Sequence, residues 1–401
     1  MYHVHTTRGA APESNISQPQ RNLQLLQGSV SSYLRFLPFQ ENKLNRREFV
    51  IAGASAGAAF SLGRVASALE PAQGWRTFEI TSQVEILKPD GATRMWVPAP
   101  LAAATPFQRH IRTDLQHEAS SAILANAGSQ RVPMVHAEFP AGSRASLTVT
   151  SKVATRDWAV LLPGSDSFQS TRREPAWPEG SSGDAPQTDD LVRKKAASIT
   201  KGAETQQQKA REIYEWIVAN TYRNPRTRGC GRGDVKFMLE SGDLGGKCAD
   251  INALFVALAR GCGLQARDVY GIRVAPSRLG YRSLGPSTTN ITKAQHCRAE
   301  VYLDKTGWTP VDPADVRKVI LEEPPGQLPA TNEKVRAAES RLFGSWEMNW
   351  VAYNYAQDVD LPGSKFGPVR FFMYPQAETR DGRIDCLDPD NFRYQITARE
   401  I

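Results

Sequence analysis

The sequence predicts an α+β protein in which a small β-sandwich-like domain precedes a core of helices packed on an antiparallel sheet. Three observations predict it. Apolar residues alternate with polar ones in short runs before residue 163. The spacing changes to threes and fours after Leu191. Further strand-like runs follow residue 266. In the first part Thr77–Leu87 alternates, with Phe78, Ile80, Val84 and Ile86 read as lying on offset faces. A Pro89–Gly91 turn leads into "TRMWVPAP", and Arg144–Arg156 alternates again. These runs assign residues 69–163 to the β-rich domain. Residues 164–190 are rich in Pro, Gly, Ser and Asp and read as a linker.

Residues 191–401 form the second domain in this reading. "ETQQQKAREIYEWIVANTY" places Ala210, Ile213, Trp216 and Ile217 at helical spacing. "NPRTRGCGRGD" (Asn224–Asp234) breaks that helix. A second helix follows Cys248, with Ile251, Leu254, Phe255 and Leu258 on one face, and Gly261 and Gly263 stop it. Strands are predicted over Ala266–Val274, His296–Leu303 and Gly307–Asp312. The Gly/Ser/Thr-rich segment Ala275–Gln295 lies between the first two. The tail holds a predicted helix, Glu333–Trp346, and strand-like runs at Pro368–Tyr374 and Phe392–Ala398.

Composition narrows the function classes. The chain has 401 residues, 40% of them hydrophobic and 23% charged, as in ordinary globular proteins. No stretch is long and apolar enough to read as a membrane span of a folded domain. The net charge is +7, but residues 1–68 hold seven Lys/Arg against three Asp/Glu and so supply +4 of it. The remainder is +3, with no basic stripe interleaved with aromatics, so no nucleic-acid partner is expected. Residues 1–68 read as a polar leader and an export signal. In "NRREFVIAGASAGAAFSLGRVASALE", Arg46 and Arg47 precede a weakly hydrophobic run, and Ala66–Ser67–Ala68 offers a small-residue cleavage site. This resembles a twin-arginine signal and implies a periplasmic or otherwise exported protein, without membrane association after cleavage. Export favours disulfides. The five cysteines, Cys230, Cys248, Cys262, Cys297 and Cys386, leave at least one free.

Cys248 carries the chemistry in this reading. It follows "GGK" and opens a helix. There it meets unsatisfied N–H groups and the positive end of the helix dipole, and both favour thiolate. The two glycines give the backbone freedom to turn sharply before it. Lys247 adds positive charge, while Asp250 works against it. The plain alternative is a buried structural thiol. Of six histidines, His296 alone lies in the second half of the chain, so an imidazole base within the same domain is His296. A strand, a "DKTG" turn and a return strand follow it and end at Asp312, a carboxylate placed to orient an imidazole. A tight turn at 304–307 leaves His296 and Asp312 several residues out of alignment, and a bulge near Pro310 or a wider loop would correct this.

"GGKCADINALFVALARGCGLQARDVYG", "QHCRAEVYL" and "GWTPVDPADV" resemble the three motif blocks of the transglutaminase-like superfamily, which present Cys, His and Asp in that order. The resemblance covers residues 191–320. It implies a papain-like core, with the cysteine helix packed on an antiparallel sheet that bears the other two residues. It implies Cys248 as nucleophile, His296 as general base and then acid, and Asp312 as orienting carboxylate. It also implies a thioester intermediate formed from a peptide or glutamine amide, resolved by water in a peptidase or by an amine in a cross-linker. A peptide or protein substrate is therefore expected, with no cofactor and no metal. Segment 275–295 is a candidate lid. Two other readings stay open. One is an inert module of the same fold that binds peptides or cell-wall fragments. The other is a metal site of Cys230, Cys248, His296 and Cys297, disfavoured because adjacent strand residues 296 and 297 point to opposite faces.

Overall fold

The computed structural model describes residues 74–162 and 189–401. The expected signal at 45–70, the residues before it and nearly all of the expected linker at 164–190 lie outside the described residues. Alternation builds the first part. Strand β1 (Arg76–Ile86) buries every second residue: Phe78, Ile80, Ser82, Val84 and Ile86. The four hydrophobic residues share one face, not two offset ones, because they have the same parity. The chain continues through β2 (Thr93–Pro98), β3 (Gln108–His117), β4 (Ser121–Ala127), β5 (Val132–Phe139) and β6 (Ala145–Thr155). β1 and β3 flank β6 in one antiparallel sheet, and β2 and β4 flank β5 in another. Val84, Ile86, Leu147 and Val149 of the first sheet meet Met95, Val97, Val135 and Ala137 of the second in one apolar cluster. That is the packing of a β-sandwich.

The helical part holds α1 (Asp190–Ile199), α2 (Gln206–Asn220), α3 (Val235–Ser241) and α4 (Cys248–Gly261). α2 starts at a full capping box, with Thr205 bonding the Gln208 N–H and the Gln208 side chain bonding back. α4 is buried almost all round, not only along the predicted face: Ala249, Asn252, Val256 and Ala259 are covered as well. α1, α2 and the sheet behind it enclose it on several sides. That sheet is antiparallel, in the order β9 (Gly307–Val311), β8 (Gln295–Leu303), β7 (Ala266–Arg273) and β10 (Trp350–Asn354). α5 (Pro313–Glu322) and α6 (Glu333–Arg341) lie in sequence between β9 and β10.

The tail then returns to the sandwich. β11 (Gln376–Thr379) pairs with β2 and with β12 (Gly382–Ile384), and β13 (Phe392–Glu400) pairs with β1 along nine residues. The partition of the sequence into 69–163 and 191–401 is therefore crossed by these two sheets and by a third, short pairing of Trp158–Ala159 with Ser345–Trp346. Phe392, 1% exposed, sits in the sandwich cluster and anchors the last strand there. Phe392→Ala is expected to cost about 3–5 kcal/mol. Urea unfolding should show a lower midpoint with an unchanged slope.

Candidate active site

The start of α4 is set by one carboxylate. Lys247 at the N-cap makes no side-chain cap. Asp250 reaches back instead: its Oδ2 accepts from Lys247 N at 2.9 Å, and its Oδ1 accepts from Arg232 N at 2.8 Å and Gly233 N at 2.9 Å. Asp250 was expected to oppose a thiolate through space, but its charge is engaged by three backbone N–H groups. This ties the 230–233 loop to the helix, and Ala249 N adds a bond to Cys230 O. Close approach, not positive φ, is why residues 245 and 246 are glycines. A Cβ on Gly245 would fall 2.1 Å from the Tyr222 ring, and one on Gly246 would fall 2.5 Å from Asp250. Neither has a positive φ. Gly231 has both reasons: its φ is +99°, and a Cβ there would lie 1.8 Å from Asp250 Oδ2.

Cys248 is 4% exposed and lines an open cleft of about 830 Å³. Its N–H is the first of the helix and has no intrahelical acceptor. Three groups meet its sulfur. The neighbouring thiols of Cys230 and Cys297 hold it well below the usual thiol range; burial opposes them, and His296 adds to the lowering. The partners move the other way. Cys230 is pushed up by its bond to Cys248 and by burial, and Cys297 by burial and then by Cys248. All five cysteines are free thiols. Residues 296 and 297 thus both reach Cys248, although they alternate along β8. Among the described residues, however, the tight cluster of metal-type donors is His296, Asp312 and Asp315, without a thiol. Arg273 and Arg298 already stand against these carboxylates, supplying the positive charge that an ion would bring.

The His296 Nε2–Asp312 Oδ2 distance is 2.7 Å, and Asp315 Oδ1 lies 3.5 Å from the same nitrogen. No bulge aligns the hairpin. Leu303 faces Gly307 and Ala299 faces Val311 in unbroken register. Continued one step, this register sets Asp312 beside Arg298, two residues from His296. The side chains bridge that diagonal, which lies within reach of long side chains on one face. Asp312 leaves the sheet there as the N-cap of α5, with Oδ1 accepting from Asp315 N at 3.1 Å and Pro313 in the first turn. With Nε2 engaged by carboxylates, Nδ1 is the nitrogen left for the thiol.

Charge in this buried patch is balanced by pairs. Burial and Arg273 oppose a charge on His296, but Asp315 and Asp312 outweigh them and raise its pKa. Burial and Asp315 raise Asp312, against the pull of His296. Burial also pushes Asp315 up, but Arg273, His296 and Arg298 outweigh it and hold that carboxyl well below its usual range. Arg273 Nη2 donates to Asp315 Oδ1 at 2.5 Å. Burial lowers Arg298 to about 10. Asn252, one helical turn after Cys248, donates to Asp312 Oδ1 at 3.2 Å and to Cys297 O at 2.8 Å. Trp350 Nε1 donates to His296 O at 2.9 Å.

The structure therefore brings together all three predicted residues: Cys248, His296 and Asp312. The sequence reading missed Asp315, Arg273, Arg298 and Asn252. For Asp315 a signal existed, since Asp-Pro-x-Asp is a helix-start pattern with a second acid at the third position. Of segment 275–295, residues 285–288 and 290–295 form part of the cleft lining.

Residues 193–313 match the family described as Transglutaminase-like superfamily. An uncharacterized Haemophilus influenzae protein is 40% identical over 224 residues, 53% of this chain and 60% of its own length. The chain thus spans about three fifths of that curated relative. Among solved structures, a candidate cysteine protease from Cytophaga hutchinsonii is 15% identical, with a TM-score of 0.42 over 82% of this chain and 99% of that one. The periplasmic domain of TgpA from Pseudomonas aeruginosa, bound to ethylmercury, is 15% identical, with a TM-score of 0.27 over 59% and 89%. The matched span begins in α1, contains Cys248 and His296 and ends just past Asp312, so the three predicted site residues lie within the stretch that is similar to the Transglutaminase-like superfamily.

Proposed function

We propose that the protein is a thiol acyl-transfer enzyme that acts on peptide or glutamine amides through a Cys248 thioester. The observation that carries this reading is the 2.7 Å His296–Asp312 pair set against a thiol of lowered pKa in an open cleft. The Cys248 thiolate adds to the amide carbonyl carbon. The oxyanion takes the free Cys248 N–H as its first donor. Gln295 is our choice for the second, because its Nε2 is buried without a partner in a residue that lines the same cleft. His296, protonated and held by Asp312, gives its proton to the leaving nitrogen as the C–N bond breaks. A thioester and a neutral imidazole remain. The imidazole then takes a proton from water or an amine as that group attacks, and the thiolate leaves. Water makes the protein a peptidase or amidase, and a lysine amine makes it a transglutaminase. Export through the Arg46–Arg47 signal is part of this proposal. Among the described residues no helix is long and apolar enough to cross a membrane.

The test is to trap the acyl-enzyme with a peptide amide and locate the added mass. Modification of Cys248, absent in Cys248→Ala, is expected. An unmodified protein that still binds the peptide would favour the inert module.

Alkylation tests the thiolate. A lowered thiol pKa keeps the nucleophilic form as pH falls, so the iodoacetamide rate at Cys248 should fall less between pH 8 and pH 6 than the rate at Cys262. Cys262, raised by burial, should slow about tenfold per unit. Equal pH dependence at the two sites would remove the activated nucleophile.

Asp312→Asn should lower the acylation rate by about 10²–10⁴ while native circular dichroism is kept. Gln295→Ala should lower it by about 10²–10³, chiefly through kcat. A change in KM alone would take Gln295 out of the oxyanion role.

A further inference from the structure

The cleft wall has one sign of charge. Beyond residue 68 the chain carries a net charge of only +3, so Asp and Glu are nearly as common as Lys and Arg. Yet no Asp or Glu lines the cleft, while Arg223, Arg228, Lys247, Lys293, Lys318 and Arg393 do. A seventh cation there, Arg273, is taken by Asp315. The six come from separate stretches: two from the segment after α2, one each from the α4 N-cap, the stretch before β8, α5 and β13. Two carboxylates stand behind them. Glu322 is bonded to Arg223 and lies 3.7 Å from Lys318, and Asp385 lies 2.7 Å from Arg228. Six cations against two carboxylates leave an excess of four. Among the described residues no carboxylate lies in ion-pair distance of Lys247, Lys293 or Arg393. Glu85, the cross-strand neighbour of Arg393, is turned to Arg144 instead. Burial and the nearby Arg273 lower the Lys318 pKa, so its ammonium lacks adequate compensation in the free protein.

We propose that the cleft takes acidic peptides, with carboxylate side chains on both flanks of the amide presented to Cys248. The position of that amide rests on the acyl-transfer reading; the preference for carboxylates rests on the wall. Lys247 adjoins Cys248 in sequence, and Lys293 lies three residues before His296, so each of the two reacting residues has a cleft-lining cation close to it in the chain. Such a wall concentrates anions and speeds their entry, because like-signed charges along a concave surface add. A peptide is favoured over a nucleic acid because the thiol needs an acyl carbon, which the latter does not offer on its backbone. The cations also line a concave cleft that holds the thiol.

The experiment separates charge preference from chemistry. Binding is measured by fluorescence anisotropy on Cys248→Ala protein, with one peptide in three forms bearing Glu, Gln or Lys on both flanks. The Glu form should bind about tenfold tighter than the Gln form at 50 mM salt, and the Lys form weakest. The gap should close at 1 M salt, where screening acts over about 3 Å. Lys247→Gln/Lys293→Gln/Arg393→Gln should erase the preference. On the wild-type protein, anionic iodoacetate should gain about tenfold on neutral iodoacetamide at Cys248, relative to their ratio on a small free thiol. Equal binding of the three peptides, or tighter binding of an oligonucleotide of the same charge, overturns the proposal. Selective binding of the Glu peptide by a wild-type protein that forms no acyl-enzyme overturns the catalytic reading and leaves this one standing.

Discussion

Six ionisable groups, the His296 imidazole among them, are buried together, and the site depends on the balance of their charges. Arg273, Arg298 and His296, whose pKa is raised, face Asp312, Asp315 and Cys248, whose thiol pKa is lowered. Burying an ion is costly unless partners satisfy it, and removing one member of a buried pair costs about 3–5 kcal/mol. His296 alone would be driven neutral by burial. Two carboxylates reverse that. Asp312 and Asp315 together would repel each other, and Asp312 is raised by burial first and by Asp315 second. Two guanidiniums oppose this: Arg273, bonded directly to Asp315, does most to hold that carboxyl low, and Arg298, with its Nε 3.5 Å from Asp312, limits the rise there. These opposing pulls favour a proton on the imidazole and a negative charge on the sulfur. The six groups are spread over four elements, so the balance exists only when β7, β8, α4 and α5 are assembled.

The part of this that was legible in the sequence is the part with a local signal. Cys248 was readable because a helix start follows two glycines, and His296 because no other histidine lies in that half of the chain. Asp312 was readable as the end of a return strand. The reason offered for the glycines was incomplete: room for Asp250 and Tyr222 is a tertiary demand that no window of sequence displays. The hairpin puzzle had the same origin. A strand-only view needed a bulge, but side-chain reach across a diagonal and the turn into α5 did the work. Arg273 and Arg298 looked like ordinary strand charges, since their burial depends on packing between distant elements. β3 was not singled out because its sequence, "QRHIRTDLQH", is polar along most of its length. It pairs with β6 alone, and a charged edge strand discourages pairing with other chains.

The sandwich is part of the site. β13 returns from the core to pair with β1, and on the way Phe392, Arg393 and Tyr394 reach the cleft. The same strand fastens the segment before His296. Ile291 N donates to Ile396 O, and Ala398 N donates to Thr289 O. The candidate lid is therefore sewn to the sandwich at one end. At the other end Ser283 is bonded to the buried Glu323, and Ser277 to Glu347. A segment fixed at several points shapes a cleft more readily than it swings over one. The β-rich part supplies a rigid wall, and the helix and sheet supply the chemistry.

The inner balance and the outer excess bear on how a thioester would be resolved. A lysine side chain reaches the cleft as a cation, and its unperturbed pKa near 10.4 leaves little free amine at neutral pH. Against a wall of uncompensated cations its approach is further disfavoured, and the same field shifts its protonation by only a modest amount. Water meets no such barrier. An acidic acyl donor alters this only while it remains bound, by covering the cations that flank the sulfur. Once the leaving amine departs with its flanking carboxylate, half of that cover goes with it. The thioester is then exposed beside bare cations, and a protonated lysine is repelled at the moment when it would have to enter. On this argument the charge of the wall, more than the identity of the three reacting residues, inclines the proposed chemistry toward hydrolysis.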